Sequence, residues 1–158
     1  MMVTIITGKI NSEKSCTILK HDKKSKKGDG YTSVKRMHYH KVHGYDLLRL
    51  SDSSIRQFVL RDDNLDENKK ISCQIGPYCF LEETLLEVEK AIKEMISNNV
   101  SPIYLDEIGQ LELYDQCFNH IFSLILESNT DAVITVREDL IPKVLEKYNI
   151  QESNIITL

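Results

Sequence analysis

Two neighbouring carboxylates, Asp106 and Glu107, follow a short apolar run and precede Gly109. The run, residues 103–105, reads Ile-Tyr-Leu and is typical of a buried strand in a parallel sheet. Open α/β sheets bind their ligands at the carboxyl ends of such strands. In that position Asp106 can help to hold a Mg²⁺ ion, and Glu107 can take a proton from water. The pattern is that of a Walker B strand, and it predicts a phosphate-binding loop elsewhere in the chain.

A candidate phosphate-binding loop follows the first apolar segment, residues 2–7. Residues 8–15 match G-x-x-x-x-G-K-[ST] at every fixed position except one, where Glu13 replaces glycine. Backbone N–H groups of such a loop, and of the helix that follows it, surround the β-phosphate. Lys14 would reach the β- and γ-phosphates, and the Ser15 hydroxyl would ligate Mg²⁺. The predicted phosphate-binding residues are Gly8, Lys9, Ile10, Asn11, Ser12, Glu13, Lys14, Ser15 and Cys16.

The glutamate at position 13 bears directly on nucleotide affinity. Glycine lets a phosphate approach the backbone closely, and a side chain there crowds it. Two unit charges ~6 Å apart, at an effective dielectric constant of ~20, repel by about 3 kcal/mol. An inward-pointing Glu13 would therefore lower affinity roughly a hundredfold, whereas a carboxylate that faces solvent or pairs with Lys9 or Lys20 would cost much less. The sequence predicts a nucleotide site that Glu13 weakens.

An arginine stands at the end of a second buried strand. Arg137 directly follows the apolar run 132–136, so it is expected at the same sheet edge as the carboxylate pair. There it could contact the γ-phosphate as an arginine finger supplied by the same chain. The alternative is that Arg137 pairs with Glu138 or Asp139, or caps a turn. The predicted catalytic residues are Glu107, Lys14 and Arg137, and the predicted metal ligands are Ser15 and Asp106.

Composition narrows the class of protein. The chain has 158 residues, enough for one α/β domain, and its net charge of −4 argues against binding to nucleic acid or to anionic membranes. No apolar stretch approaches the ~20 residues that span a bilayer, and no signal peptide is visible. The 4 cysteines lack C-x-x-C spacing, which indicates neither a zinc site nor a disulfide framework. We expect a cytoplasmic protein with reduced thiols.

The order of the predicted elements indicates the fold. They are a lysine-rich surface loop (21–30), strands at 31–37, 45–50 and 55–60 with a turn at 41–44, a strand at 71–75, a helix from 81 to about 98, the strand at 103–105, a helix around 114–125, a strand at 132–136, a helix at 141–148 and a strand at 154–158. Strands that alternate with helices imply crossover connections and a mainly parallel sheet. We predict a single domain, 1–158, with a three-layer α/β fold and a β-meander inserted beside the phosphate site.

Four segments together resemble a known family. They are Ile-Ile-Thr-Gly at 5–8, the region 30–47, Ile-Gly-Pro-Tyr at 75–78, and Leu-Asp-Glu-Ile-Gly-Gln-Leu-Glu-Leu at 105–113. In this order the chain resembles the nucleoside-triphosphatase family first described from thermophiles, small RecA-like P-loop proteins with a human cancer-related relative. The last segment is the most specific, because members commonly read Asp-Glu-Ile-Gly, a lysine, a hydrophobic residue and Glu-Leu. Here Gln110 replaces the lysine.

The resemblance implies Mg²⁺-dependent hydrolysis of nucleoside triphosphates (ATP, GTP and others) to the diphosphate and phosphate, with low base selectivity. Carried over by position, Lys14 and Ser15 bind phosphate and Mg²⁺. Asp106 holds Mg²⁺ through water, and Glu107 activates the attacking water. Glu112 also matches a position of the family pattern, but the sequence does not explain its role.

Two other functions are compatible with the same residues. Glu13 raises the alternative of a catalytically inactive nucleotide-binding or scaffold protein, which would release no phosphate and would bind nucleotide more tightly after Glu13→Gly. The second alternative is a small P-loop kinase, for which an acceptor would raise ADP production above the background with water. The acid pair favours water activation, and the chain has no arginine-rich lid.

Overall fold

The computed structural model describes residues 1–9 and 13–158, so Ile10, Asn11 and Ser12 of the predicted loop lie outside the described residues. The strands are β1 (Val3–Gly8), β2 (Asp29–His38), β3 (Lys41–Arg49), β4 (Ile55–Arg61), β5 (Ile71–Ile75), β6 (Tyr78–Leu81), β7 (Ile103–Leu105), β8 (Ala132–Arg137) and β9 (Ser153–Thr157). The helices are α1 (Lys14–Ser25), α2 (Glu82–Ser97), α3 (Gln110–Leu113), α4 (Asn119–Glu127) and α5 (Ile141–Lys147), with one-turn 3₁₀ helices at Asp62–Asn64 and Glu138–Leu140. None of the helices in these two ranges is long and apolar enough to cross a membrane.

All of these strands join one sheet, in the order β5-β6-β4-β3-β2-β7-β8-β1-β9. From β2 to β9 the neighbouring strands run parallel, because helical crossovers connect them and cover both faces of the sheet. From β2 to β5 the neighbours run antiparallel. The predicted α/β class is confirmed, and the β-meander extends the same sheet on one side.

Helices cover the two faces of the sheet, because successive side chains of a strand point to opposite faces. On one face, Ile18 of α1 packs with Ile6, Tyr104 and Val133. On the other face, Ile5 of β1 belongs to a larger core that includes side chains of α2, α4 and α5. The sheet therefore lies between two helical layers, as a three-layer fold requires.

Gly30 brings β2 close to β7. Its φ of 147° is in the region that favours glycine, and a Cβ there would lie 2.2 Å from the Tyr104 carbonyl oxygen. Gly30 pairs with Tyr104 in the parallel register between the two strands. As a result Thr32 and Ser33, further along β2, come beside the residue that follows β7.

The prediction of a loop over residues 21–30 is wrong. Helix α1 continues to Ser25, and strand β2 begins at Asp29. The helix extends because His21 and Ser25 lie one turn apart and both contact the Tyr104 hydroxyl, at 2.7 Å and 3.2 Å. The lysines between them point elsewhere, so the lysine-rich composition marks the outer face of a helix.

Three other boundaries differ from the prediction. Residues 41–44 belong to β3, because the turn lies before them, at Tyr39 and His40. The φ angles of these two residues, 47° and 63°, suit a two-residue hairpin loop. Strand β6, which was not predicted, follows the turn at Gly76. The helix expected around 114–125 begins later, at Asn119, as α4, and the short helix α3 precedes the predicted range.

Candidate functional site

The carboxyl ends of β1, β7 and β8 meet at one edge of the sheet, and the predicted site residues lie there. Gly8 at the end of β1 pairs with Arg137 at the end of β8, and Asp106 directly follows β7, which pairs with β8 on its other side. Helix α1 begins at Lys14, after the loop that leaves β1. The fold therefore brings the two ends of the predicted motif together, although they are about 90 residues apart in sequence.

The Asp106 carboxylate is buried, with 2% of its surface exposed, and it accepts four hydrogen bonds. Its Oδ2 accepts from Ser15 Oγ at 2.6 Å, Thr32 Oγ1 at 3.0 Å and the Ser33 backbone N–H at 2.9 Å. Its Oδ1 accepts from Thr135 Oγ1 at 2.5 Å. A buried charge is tolerated when hydrogen-bond donors surround it in this way, so the carboxylate is held in one orientation.

Thr135 on β8 links the two acidic residues. Its hydroxyl donates to Asp106 and accepts the backbone N–H of Glu107 at 2.6 Å, and its carbonyl accepts the N–H of Ile108 at 3.0 Å. Sequence reasoning missed this residue. The available signal was a hydroxyl side chain within the otherwise apolar buried strand 132–136.

Glu107 has a left-handed backbone, with φ of 66°. This conformation costs about 1–2 kcal/mol for a residue with a Cβ, and the hydrogen bond from its N–H to Thr135 offsets part of that cost. The side chain of Glu107 lines a cavity of about 380 Å³, which Asp106 also lines. Solvent reaches the carboxyl group through the cavity.

The environment of Glu107 shifts its acidity towards neutrality. Partial loss of hydration is the largest cause that raises its pKa to about 7, although the residue remains exposed at the cavity. The negative charges of Asp106 and Glu112 raise the pKa further, while Lys14 and Lys35 oppose that shift. A carboxyl group with such a pKa can take up a proton at neutral pH, as a general base requires.

Lys14 and Ser15 occupy the first turn of α1 and line the same cavity as Glu107. The Lys14 Nζ donates to the Lys9 carbonyl at 3.2 Å. A helix N-terminus with a lysine beside it suits a phosphate group, because unpaired N–H groups and positive charge face the same space. Cys16, also predicted to bind phosphate, is exposed in this turn.

Glu13 is the N-cap residue of α1, and its side chain is exposed. Its backbone carbonyl accepts from the N–H and the hydroxyl of Thr17, at 3.1 Å and 2.9 Å. Among the described residues, its carboxylate forms no ion pair with Lys9 or Lys20. An exposed carboxylate is screened by solvent, which favours the smaller of the two costs considered for this glutamate.

Arg137 lines the cavity but is paired with Asp139. Its Nε and Nη2 donate to the two carboxylate oxygens at 2.5 Å and 2.9 Å, in the bidentate arrangement considered as the alternative to phosphate contact. This pairing raises the pKa of the guanidinium and lowers that of the Asp139 carboxyl. A phosphate group would have to compete with Asp139 for the arginine.

The donor set at the edge of the sheet fits Mg²⁺. Ser15 Oγ and Asp106 Oδ2 lie 2.6 Å apart, and hydroxyl and carboxylate oxygens are ligands that Mg²⁺ prefers. No cluster of three or more histidine, cysteine or acidic side chains that could hold a metal occurs in residues 1–9 and 13–158. Mg²⁺ at nucleotide sites takes few protein ligands and several from water and phosphate, so a small donor set is sufficient.

Glu112 lines the cavity, and its hydrogen bonds hold the backbone of the surrounding segment in place. Its side chain is 2% exposed, its Oε1 accepts from the Gly109 N–H at 2.8 Å, and its Oε2 accepts from the Phe118 N–H at 3.0 Å. Burial raises the pKa of its carboxyl. The two hydrogen bonds tie together the start and the end of the segment between β7 and α4, which carries Glu107 at its beginning.

Comparison with known proteins identifies a family and two similar folds. Residues 3–158 match the model of a family described as NTPase. The fold is similar to the solution structure of a human cancer-related nucleoside triphosphatase, with a TM-score of 0.72, and to the crystal structure of THEP1 from the hyperthermophile Aquifex aeolicus, with a TM-score of 0.69. Each is 18% identical to this chain, and the alignments cover 100% of this chain and 89% and 90% of theirs. No curated protein matches the sequence.

Proposed function

Because the chain belongs to the NTPase family, we propose that it hydrolyses nucleoside triphosphates to the diphosphate and phosphate with the aid of Mg²⁺. Family membership supports nucleoside-triphosphatase activity in general terms. One observation carries the specific mechanism. Glu107, with a pKa raised to about 7, lines the cavity that Lys14 and Ser15 also line.

In this proposal the chain's own residues divide the work between binding and proton transfer. Lys14 and the N–H groups at the start of α1 bind the phosphates, and Ser15 with Asp106 holds Mg²⁺. When bound, the metal neutralises charge on the phosphate oxygens. Glu107 takes a proton from water as the water oxygen bonds to the γ-phosphorus and the bond to the diphosphate breaks. Arg137 contacts the γ-phosphate once it leaves Asp139.

Low base selectivity is part of the proposal. The binding groups assigned to nucleotide are phosphate-binding groups at the edge of the sheet, and phosphates are common to all nucleoside triphosphates. Similar turnover of ATP and GTP is therefore expected. We also propose that residues 1–158 act as one domain in the cytoplasm, where the thiols, which are free in the structure, stay reduced.

A nucleotide-binding protein without turnover is the second candidate, and Glu13 is the observation that favours it. Its carboxylate stands at the N-terminus of the helix that would receive phosphate. Because the side chain is exposed, we expect Glu13 to weaken binding by less than the roughly hundredfold of a fully inward charge.

The test is phosphate release from a panel of Mg²⁺-nucleoside triphosphates, with the natural protein and Glu13→Gly in parallel. The control is Glu152→Gly, which makes the same substitution at an exposed position outside the helices. Release by both the natural protein and Glu13→Gly, with similar rates for each base, supports the proposal. Release by Glu13→Gly alone would assign the natural chain to the binding-only class.

A further inference from the structure

The cavity at the site extends beyond the residues assigned to hydrolysis. At one end of its volume of about 380 Å³ are Lys14, Ser15 and Glu107. Beyond Glu107 it continues into a part that we term the distal chamber, lined by Tyr45, Leu47, Phe58, Val59, Phe80 and Phe118. A water molecule takes up about 30 Å³, so attack by water leaves most of the distal chamber unexplained.

The distal chamber lies on the side from which an attacking group would approach. Its walls come mainly from β3, β4 and β6, which are on the far side of β7 from β1 in the sheet. The phosphate loop leaves β1, so Glu107 after β7 stands between that loop and the chamber. In phosphoryl transfer the attacking and leaving groups are roughly in line across the γ-phosphate. A nucleotide bound at that loop would lie on the β1 side, and the chamber would face its γ-phosphate from the opposite side.

The chemistry of the walls indicates what the distal chamber can hold. The Phe58 ring stacks on Phe118 with centroids 5.4 Å apart and meets the edge of Phe80 at 5.3 Å. In the described residues, strands β3 to β6 bury no oxygen- or nitrogen-bearing polar side chain. An apolar, aromatic-walled cavity favours a flat apolar ligand over water or sugar.

Polar groups lie where the chamber opens towards the phosphate end, and Glu112, whose carboxylate oxygens already accept the N–H groups of Gly109 and Phe118, also lines the cavity. Glu107 is there, and Lys35 of β2 lines the same part of the cavity. Tyr45 is near enough to Glu107 for that carboxylate to raise the pKa of its phenol, after the larger effect of burial. A ligand in the distal chamber would thus meet polar groups beside Glu107 and aromatic or aliphatic side chains along the walls from β3, β4 and β6.

We propose that the distal chamber binds a small aromatic alcohol, whose hydroxyl accepts the γ-phosphoryl group in place of water. The inference depends on the nucleotide site proposed above. The alcohol oxygen bonds to the γ-phosphorus, its proton passes to Glu107, and the bond between the γ-phosphorus and the diphosphate oxygen breaks. The products are a phosphate monoester and the nucleoside diphosphate, with no change of oxidation state.

The experiment compares diphosphate with inorganic phosphate in the same reaction. The protein is incubated with Mg²⁺-ATP and either 2-phenylethanol or pyridine-3-methanol, with the methyl ether of each alcohol as a control that lacks the hydroxyl proton. Transfer to an alcohol makes ADP exceed inorganic phosphate, by about tenfold if the hydroxyl is held in line, and phosphorus NMR detects the monoester. With the ethers, ADP and phosphate stay equal.

Two tryptophan substitutions locate the effect. Ile75 lines the cavity and is 42% exposed, so Ile75→Trp fills part of the opening without entering the core. Ile55 is 53% exposed on β4 and does not line the cavity, so Ile55→Trp is the matched control. We expect Ile75→Trp to return the ratio of ADP to phosphate towards one, and Ile55→Trp to leave it unchanged.

The outcomes separate this inference from the proposed hydrolysis. Equal ADP and phosphate with both alcohols, together with no saturable binding of 2-phenylethanol by saturation-transfer NMR, would overturn the inference while hydrolysis stands. Monoester formed with alcohol, without phosphate release in its absence, would support the inference and contradict hydrolysis. An ADP excess that survives Ile75→Trp as fully as Ile55→Trp would also contradict binding in the distal chamber.

Discussion

The parallel strands β2, β7, β8, β1 and β9 and the antiparallel strands β3 to β6 differ in where they bury polar side chains. Thr7, Asp29, Thr32 and Thr135 are buried on the parallel strands, and Asp106 directly follows β7. In the described residues, β3 to β6 bury only apolar side chains and thiols. The parallel strands thus hold reacting groups by hydrogen bonds, whereas the antiparallel strands shape an apolar space beside them.

Substitutions on the two sets of strands should therefore differ in kind. Changes to the hydrogen-bonded groups of the parallel strands should lower turnover, because those groups orient Asp106 and Glu107. Changes on the antiparallel strands outside the cavity should affect stability alone.

The largest effect is expected from Asp106→Asn. The amide cannot accept all four hydrogen bonds that the carboxylate accepts, and it removes the negative charge that a cation requires. We expect kcat/KM for Mg²⁺-ATP to fall by roughly 10³-fold. Asp66→Asn, at an exposed position, is the control, and circular dichroism checks that both variants fold. An unchanged kcat/KM in Asp106→Asn would contradict the assignment of Asp106 to the catalytic site.

Thr135→Val should have the next largest effect. The substitution keeps the shape but leaves the Glu107 N–H without its acceptor and Asp106 without one donor. An unsatisfied buried group costs about 1–3 kcal/mol, so we expect kcat to fall by roughly 10- to 100-fold with little change in KM. Thr135→Ser should restore most of the rate.

Thr32→Val is the comparison for Thr135→Val, because it removes one hydrogen bond to Asp106 without touching Glu107. It should lower kcat by less than Thr135→Val does. If the two variants lose the same rate, the link from Thr135 to Glu107 has no separate role in catalysis.

Glu112→Gln should change the pH dependence of stability. Burial raises the folded-state pKa of Glu112 above its ordinary value of 4.5, so the folded state binds this proton more tightly than the unfolded state. The resulting stability is present below pH 4.5 and is lost as the pH rises through the folded-state pKa. Urea unfolding between pH 4 and 8 should show a flatter pH dependence for Glu112→Gln than for the natural protein.

The control for Glu112→Gln is Glu127→Gln, an exposed position on α4. It should reproduce the pH dependence of the natural protein. Parallel curves for the natural protein and Glu112→Gln would show that the buried carboxyl does not contribute the expected proton linkage.

The smallest effect is expected on the antiparallel hairpin. Arg36 Nη2 lies 2.5 Å from Asp46 Oδ1, and the two side chains are 37% and 16% exposed. Ion pairs with this exposure are worth about 0–1 kcal/mol, so Asp46→Asn, on β3, should lower the free energy of unfolding by no more than that and leave kcat unchanged. A tenfold loss of kcat would show that the two sets of strands are coupled.

The sequence predicted the parts of the site that lie in continuous motifs. The apolar run before Asp106 and the loop before Lys14 each carry their own signal, and the rule for carboxyl ends of parallel strands places both at one edge. Thr32 and Thr135 were missed because their contacts depend on which strands are neighbours and in what register. Neither property can be read from local pattern.

The missed boundaries have the same origin. The segment 21–30 looked like a loop because lysines dominate its composition, but contacts of His21 and Ser25 with Tyr104 extend the helix. Strand β6 is short and follows Pro77, so its pairing with β4 and β5, not its sequence, makes it a strand.

The most direct test of the proposed mechanism is Glu107→Gln, measured for both Mg²⁺-ATP binding and single-turnover hydrolysis. Glutamine keeps the size of the side chain but cannot take a proton. We predict a loss of the hydrolysis rate of roughly 10²- to 10⁴-fold, with the dissociation constant for Mg²⁺-ATP changed by less than about threefold. Loss of binding in parallel with turnover, or hydrolysis at the natural rate, would contradict the assignment of Glu107 as the general base.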